Sequence, residues 1–195
     1  EHDSEKISWL LENMGYELEI DYVNVQSDLT LIPTTIRNFE AHDVDLIYAI
    51  ATPAAQGAKN TARRTPIIFN AVTDPIAAQL VKTNEKPGGN ITGVSDYFSI
   101  RKQVDMFLEA FPNTKDFGLI YSTGELNSQV QIAELEEILK EKNINLHKVG
   151  VTTTNDIPSA MASLSSKIDA FIGIQDNLVA SSSKLISQKL NEKKI

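Results

Sequence analysis

Cysteine is absent from the 195 residues. That excludes disulfides, thiolate metal sites and cysteine nucleophiles together. It fits a protein that works outside the cytoplasm, although many cytosolic proteins also lack the residue. Histidine occurs only as His2, His42 and His147. Their scatter shows no metal-ligand spacing, so no metal is expected and all three are read as surface residues. Positive charge is scarce as well: 18 basic residues against 26 acidic ones leave a net charge of −8. The only close basic pairs are Arg63-Arg64 and Lys193-Lys194, too little for a phosphate track, which argues against nucleic acid as a partner. No apolar run approaches the roughly 18 residues of a membrane span. Glu1-His2-Asp3-Ser4 does not read as a signal peptide, as would hold equally for a mature or trimmed product, so the compartment stays open. Three enzyme signatures are missing too. There is no Gly-x-Gly-x-x-Gly directly after a strand, no P-loop and no Gly-x-Ser-x-Gly elbow. Gly88-Gly89-x-x-x-Gly93 has the wrong spacing and precedes its strand. The sequence therefore points away from an enzyme and calls for no cofactor.

What is present is an ordinary globular composition, 42% hydrophobic and 23% charged, in a length that suits one sizeable domain or two small ones. Residues 4–15 carry Ile7, Leu10, Leu11 and Met14 at helical spacing and end on Gly15. Trp9, beside Leu10, is expected to pack. Glu17 to Val25 alternates as a strand does, and Asp28 to Ala41 reads as a helix capped by Asp28, with Pro33 in its first turns. Asp45 to Ala51 is a continuous apolar run, predicted to be a strand buried on both faces. Pro53 opens a helix to about Ala62. Pro66 to Val72 is a second buried strand, Pro75 to Leu80 a short helix, Pro87-Gly88-Gly89-Asn90 a turn and Ile91 to Val94 a strand.

The rhythm then restarts. Ser99 to Phe111, Glu125 to Lys142, Ile157 to Ser165 and Leu178 to Leu190 read as helices. Asp116 to Tyr121, Asn145 to Val151 and Asp169 to Ile174 read as strands. Within the long helix, Leu135, Ile138 and Leu139 supply the buried face and the Glu- and Lys-rich remainder is solvated. The alternation implies right-handed βαβ units and parallel sheets.

Three strand-to-helix junctions concentrate polar groups at the carboxyl ends of such strands, where open α/β sheets bind ligands. They are Thr52-Pro53-Ala54-Ala55 after the Asp45 strand, Asn70 and Thr73-Asp74 at the end of the Pro66 strand, and Gln175-Asp176-Asn177 after the Asp169 strand. Thr52, with the N–H groups of Ala54 and Ala55, suits a carboxylate at a helix start, and Thr73 adds a hydroxyl. Asp74, Asp96 or Asp176 suits an ammonium, while Asn70, Ser122, Asn127, Ser128 and Asn177 carry groups fit for either end. Helix capping explains Thr52, Thr73, Asp74, Asn127, Ser128 and Asp176 equally well. Ser95-Asp96 can equally serve only to shape a crossover. Phe69, Tyr97, Phe98 and Tyr121 lie near the predicted cleft, as stacking partners or as core.

The chain opens on a helix where a doubly wound domain would open on a strand, and it stops on a helix after only three strands beyond residue 96. Each sheet is therefore expected to be incomplete, and the chain to be part of a longer protein. Five segments in order resemble the substrate-binding proteins of ABC importers, in the branch associated with tryptophan and tyrosine uptake. They are Ala49 to Gln56, Pro66 to Pro75, Lys86 to Asp96, Tyr121-Ser122-Thr123-Gly124-Glu125-Leu126-Asn127-Ser128, and Gln175-Asp176-Asn177-Leu178-Val179-Ala180-Ser181. Ser122-Thr123 stands where the family more often has Asn-Pro.

The resemblance spans most of residues 17–190. It implies two doubly wound parallel-sheet lobes of the type I periplasmic-binding-protein kind. Residues 1–95 would form lobe one without its first strand, and 96–195 the first part of lobe two. Roughly another hundred residues would complete the fold. It also implies an extracytoplasmic protein, periplasmic or a cell-surface lipoprotein. That protein would bind an aromatic amino acid between its lobes by hinge closure and present it to a membrane permease, as a monomer when full length. The competing reading is the sensor core of a transcription regulator, or a sugar- or metabolite-binding protein of the same fold. The regulator would need a helix-turn-helix module that the sequence does not show.

Overall fold

A computed structural model describes residues 2–195, with side chains from Glu5 onward; the surface placement expected for His2 lies outside the described residues. Two separate three-stranded sheets, each wholly parallel, organise the chain. The first has the order β1 (Ile47–Ile50), β2 (Ile67–Val72), β3 (Ile91–Ser95). The second has β4 (Asp116–Ser122) at its centre, flanked by β5 (Asn145–Val151) and β6 (Ala170–Phe171). In the first unit α1 (His2–Asn13) and α2 (Ile32–Ala41) precede β1, and α3 (Thr52–Thr61) joins β1 to β2. In the second, α4 (Ile100–Ala110) leads into β4, and α5 (Leu126–Glu141) and α6 (Ile157–Leu164) make the crossovers. The short α7 (Asn177–Ser181) and α8 (Ser183–Lys193) follow β6.

Side-chain alternation decides what each sheet face meets. Ile47, Ala49, Ile67, Phe69 and Ile91 point one way and bury against Ile36 of α2 and Ala55 and Ala58 of α3. The second sheet is covered on both faces. Phe117 and Leu119 pack against α4 and α5, through Val104, Leu135 and Leu139. Ile120 packs against α6 and α8, through Ile157, Met161 and Ile186. On α5, Leu135, Ile138 and Leu139 are buried as the pattern predicts.

Several expectations need correction. Residues 17–25 form no strand; they lie at the surface without ladder bonds, because β1 pairs only with β2 and no strand lies between them and this segment. The β1 strand is buried on one face only, with Tyr48 and Ile50 39% and 40% exposed; helices cover just the side bearing Ile47 and Ala49. Trp9 is 67% exposed, since the stripe on α1 finds cover only at Ile7 and Leu11. Asp28 caps a single 3-10 turn (Leu29–Leu31) rather than α2 itself. Pro75 to Leu80 makes isolated turns and no helix, ending at Gln79 with φ 58°. The strand expected over 169–174 is ordered as β6 for two residues only, and the helix expected over 178–190 is two helices broken at Ser182. His147 is half-buried and lies 2.7 Å from Asp116, whose carboxyl this contact holds below the usual range; His42 is exposed, beside Asp21.

Candidate functional site

The carboxyl ends of β1 and β2 make the first half of the site. Here the backbone departs from what side chains prefer. Ala51, between β1 and α3, has φ 76° and ψ 157°, a region that essentially only glycine occupies without strain. Ala71 has φ 54°, where the pairing of β2 with β3 slips. Two such residues on adjacent strand ends are what a site-shaping segment looks like. The Ala51 N–H donates to Asn70 O at 2.9 Å and the Ala55 N–H to Ala51 O at 3.1 Å. The Ala55 N–H is therefore already used. At the start of α3 the N–H groups of Thr52 and Ala54 have no intrahelical acceptor. Pro53, in the first turn, has no N–H to leave unpaired.

Thr52 and Thr73 are buried, whereas Asn70 and Asp74 are half-buried. Asn70 accepts the Ala71 N–H on Oδ1 at 3.0 Å. Asp74 accepts the N–H groups of Ile76 and Ala77 at 3.0 and 2.9 Å, closing the turn that follows β2. From there Ser95 Oγ donates to Thr73 O at 3.1 Å, which ties the end of β3 to the second junction. Phe69 is core, while Tyr97 and Phe98 are exposed beside the crossover.

The second half is a buried polar network at the ends of β4 and β6. Glu125, which precedes α5, accepts the N–H groups of Asn177 and Leu178, each at 3.1 Å, and the Asn177 amide at 2.6 Å. Asp176 caps α7 at Val179 N (2.9 Å) and also accepts Ser122 N and the Ser128 hydroxyl, both at 2.6 Å. Burial, the main cause, pushes the Asp176 carboxyl above its usual range; the hydrogen bonds from Ser128, Ser122 and Val179 oppose this. Gln175 joins three elements. Its side-chain oxygen and its N–H are bonded to the Gln131 amide at 2.6 and 2.7 Å, its carbonyl accepts from Asn127 at 2.6 Å, and its own amide donates to Asp96 O at 2.7 Å.

The structure thus brings Ser122, Asn127, Ser128, Asp176 and Asn177 into one cluster and attaches Asp96 to it through Gln175. It keeps Thr52, Pro53, Ala54, Ala55, Asn70, Thr73 and Asp74 together on the first unit. The two groups approach where α3 meets α5, with Leu126 packed against the first unit's core. Sequence reasoning gave no role to Glu125 and Gln131 and named Gln175 only as part of the third junction. The i, i+4 spacing of Asn127 and Gln131 was the available signal, since it puts two amides on one face of α5.

Residues 7–195 match the family model for ABC transporter substrate binding proteins. A tyrosine-binding protein of Clostridioides difficile is 41% identical over 189 residues, covering 95% of this chain and 55% of that protein. An uncharacterised Rickettsia prowazekii protein is 26% identical over 193 residues, or 97% of this chain and 59% of its own length. The chain therefore spans little more than half the length of the curated relatives it matches. Among solved structures, a Streptococcus domain in complex with L-Trp overlays with a TM-score of 0.88 at 36% identity, covering 94% of this chain and 63% of that one. The ligand-free, open structure of a Clostridium difficile substrate-binding protein is 40% identical but overlays with a TM-score of only 0.57, covering 95% and 64%.

Proposed function

The chain belongs to the ABC transporter substrate-binding protein family, and from that premise we propose that it is the solute-binding component of an importer. Its ligand would be a small amino acid, tyrosine or tryptophan being the best candidates, held between two lobes formed by residues 1–95 and 96–195. The carrying observation is the pair of overlays. The chain matches the L-Trp-bound relative far better than the open, ligand-free one, although its sequence is nearer to the latter. This supports two arrangements of the lobes in the family, with ligand favouring the closed one through contacts to both.

In this reading the α3 start, with Thr52, Pro53, Ala54 and Ala55, and the Asn70, Thr73 and Asp74 junction receive the ligand's carboxylate end. The β4–α5 junction, with Ser122 at the strand end and Asn127 and Ser128 in the first turn of α5, closes from lobe two. Asp96 lies at the crossing, and Asp176 and Asn177 hold the loop in place. The protein would act outside the cytoplasm, in the periplasm or as a surface lipoprotein, and hand its ligand to a membrane permease. Among the described residues no helix is long and apolar enough to cross a membrane.

Calorimetry on the full-length gene product, with the aromatic amino acids and a panel of sugars, tests this. Heat of binding with tyrosine or tryptophan is expected. Silence with every amino acid, alongside clear binding of a sugar, would refute it.

A further inference from the structure

The two units meet away from the chain that links them. Leu126, the first residue of α5, packs against the core of the first unit, whose other members all come from residues 25–91. From the opposite side, Leu29 reaches the turn that precedes α5: a Cβ placed on Gly124 would lie 3.4 Å from Leu29 Cδ1. Both leucines are half-buried. Leu29 is presented by a fixed turn. Gln26 and Ser27 take φ of 49° and 66°, a conformation uncommon outside glycine that persists only where the surroundings hold it. The Asp28 N–H donates to Val25 O at 2.8 Å, and the Asp28 side chain caps the 3-10 turn that carries Leu29.

This contact is apolar throughout. Among the described residues, no hydrogen bond or ion pair joins residues 17–95 to residues 97–195. The bond from the Gln175 amide ends on Asp96, in the crossover itself. A polar interface fixes one geometry and must exchange its bonds for water whenever it opens. An apolar contact is non-directional, and its strength follows the area it covers. It can part and re-form with nothing left unpaired, as a contact between moving lobes requires.

We propose that Leu29 and Leu126 form an apolar clasp that supplies the ligand-independent share of lobe closure. The inference rests on the two-lobe solute-binding reading above and concerns how that site is regulated, not what it holds. In the arrangement that overlays on the L-Trp-bound relative, the clasp is engaged. A ligand meets a protein of which only a fraction is closed, and its apparent affinity is reduced by that fraction. The clasp sets the fraction. It therefore scales the affinity for every ligand by one factor and selects among none.

The test uses the full-length gene product and three variants. Leu29→Ala and Leu126→Ala cut the clasp from either side; Leu29→Ala gives the cleaner reading, because Leu126 adjoins Asn127. Gly124→Ala extends the clasp, since its methyl would meet Leu29 at ordinary contact distance and the Gly124 backbone is not left-handed. Calorimetry gives the affinities for L-tyrosine and L-tryptophan, and small-angle scattering gives the radius of gyration without ligand. Leu29→Ala is expected to weaken both amino acids by the same factor, about three- to tenfold, the worth of half a leucine's burial. It is also expected to enlarge the unliganded protein. Gly124→Ala is expected to move both readouts the other way. Unequal weakening of the two amino acids in Leu29→Ala, an unliganded size that no variant changes, or Gly124→Ala shifting in the same direction as the leucine variants overturns the clasp and leaves the solute-binding reading intact. If neither amino acid binds the wild type, that reading fails and the unliganded size alone decides the clasp. Should the leucine variants fail to fold, Gly124→Ala decides through the same two readouts.

Discussion

Asp176 is one of three carboxylates that the sequence offers to an ammonium, with helix capping the equal alternative, and its surroundings make a sharper prediction. Replacing it with Ala leaves the buried N–H groups of Ser122 and Val179 without acceptors. Each would cost about 1–3 kcal/mol. The Ser128 hydroxyl can rotate toward another acceptor, so it adds little. Against this, the variant is relieved of a buried carboxylate that has no cation, the burial that raises the Asp176 pKa. The balance is a loss of about 2–4 kcal/mol, large beside the roughly 5–15 kcal/mol that holds a typical domain together. Asp74→Ala, which only opens a turn at a half-buried position, should cost about 1 kcal/mol. Urea unfolding measures both. The midpoint of Asp176→Ala should fall markedly with the slope unchanged.

The pH dependence has a definite sign. The folded-state pKa of Asp176 lies above its unfolded value, so its contribution to stability declines as pH rises from about 4 through that raised pKa and is flat beyond it. Asp116, Asp156, Glu40 and Glu141 are shifted down, so what they contribute is lost as pH falls. Asp176→Asn removes the opposing contribution and should therefore lose stability on acidification more steeply than wild type. A midpoint for Asp176→Ala within about 0.5 kcal/mol of wild type, together with abolished ligand affinity, would refute this reasoning and make Asp176 a ligand contact.

Two substitutions probe the first unit. Ala51→Gly should stabilise by about 1 kcal/mol, the relief at φ 76° exceeding the flexibility that glycine adds to the unfolded chain; a lowered melting temperature would show that the conformation is not strained. Gly93→Ala would place a Cβ 2.0 Å from Phe69 O, the backbone facing it across β2 and β3. It should disrupt the first sheet, read as a loss of cooperative unfolding, while Gly89→Ala, whose Cβ would meet nothing within 4 Å, leaves the transition in place.

Local periodicity carried most of the fold into the sequence. The helix at Thr52–Thr61 and the strands at Ile67–Val72 and Asn145–Val151 are bounded by Pro53, Pro66 and Asn145, residues that act within a few positions of themselves. Expectations failed where a distant partner decides. Residues 17–25 have the alternation of a strand, but a strand exists only if another lies beside it. The apolar run at Asp45 to Ala51 reads as buried on both faces, yet burial of Tyr48 and Ile50 depends on cover that local sequence does not encode. The site divides the same way. Of the residues read as caps at helix starts, Asp176 caps α7, whereas Thr52 lies inside α3 and Asn127 and Ser128 inside α5. The network linking Glu125, Asn127 and Gln131 to Gln175 and Asn177, and Ser122 and Ser128 to Asp176, crosses 44 to 54 residues of chain. Isolated Gln and Glu give no sign of such pairing.

The two halves of the candidate site differ in what they leave undone, and under the proposed function that difference would orient a ligand. On the first unit the unused groups are donors: the N–H groups of Thr52 and Ala54 at a helix start, beside the Thr52 hydroxyl, which makes no hydrogen bond to another described residue. Such a place attracts an anion. On the second unit the donors are consumed by Glu125 and Asp176, and what remains is one side-chain carbonyl oxygen, Asn127 Oδ1, in negative surroundings. Such a place attracts a cation. Under the proposed function, a zwitterion set between them, carboxylate toward α3 and ammonium toward α5, would engage both units at once. A simple carboxylate or a simple amine engages only one, and so has less to offer the closed state over the open one. Closure and selectivity for an amino acid would then share a single physical cause.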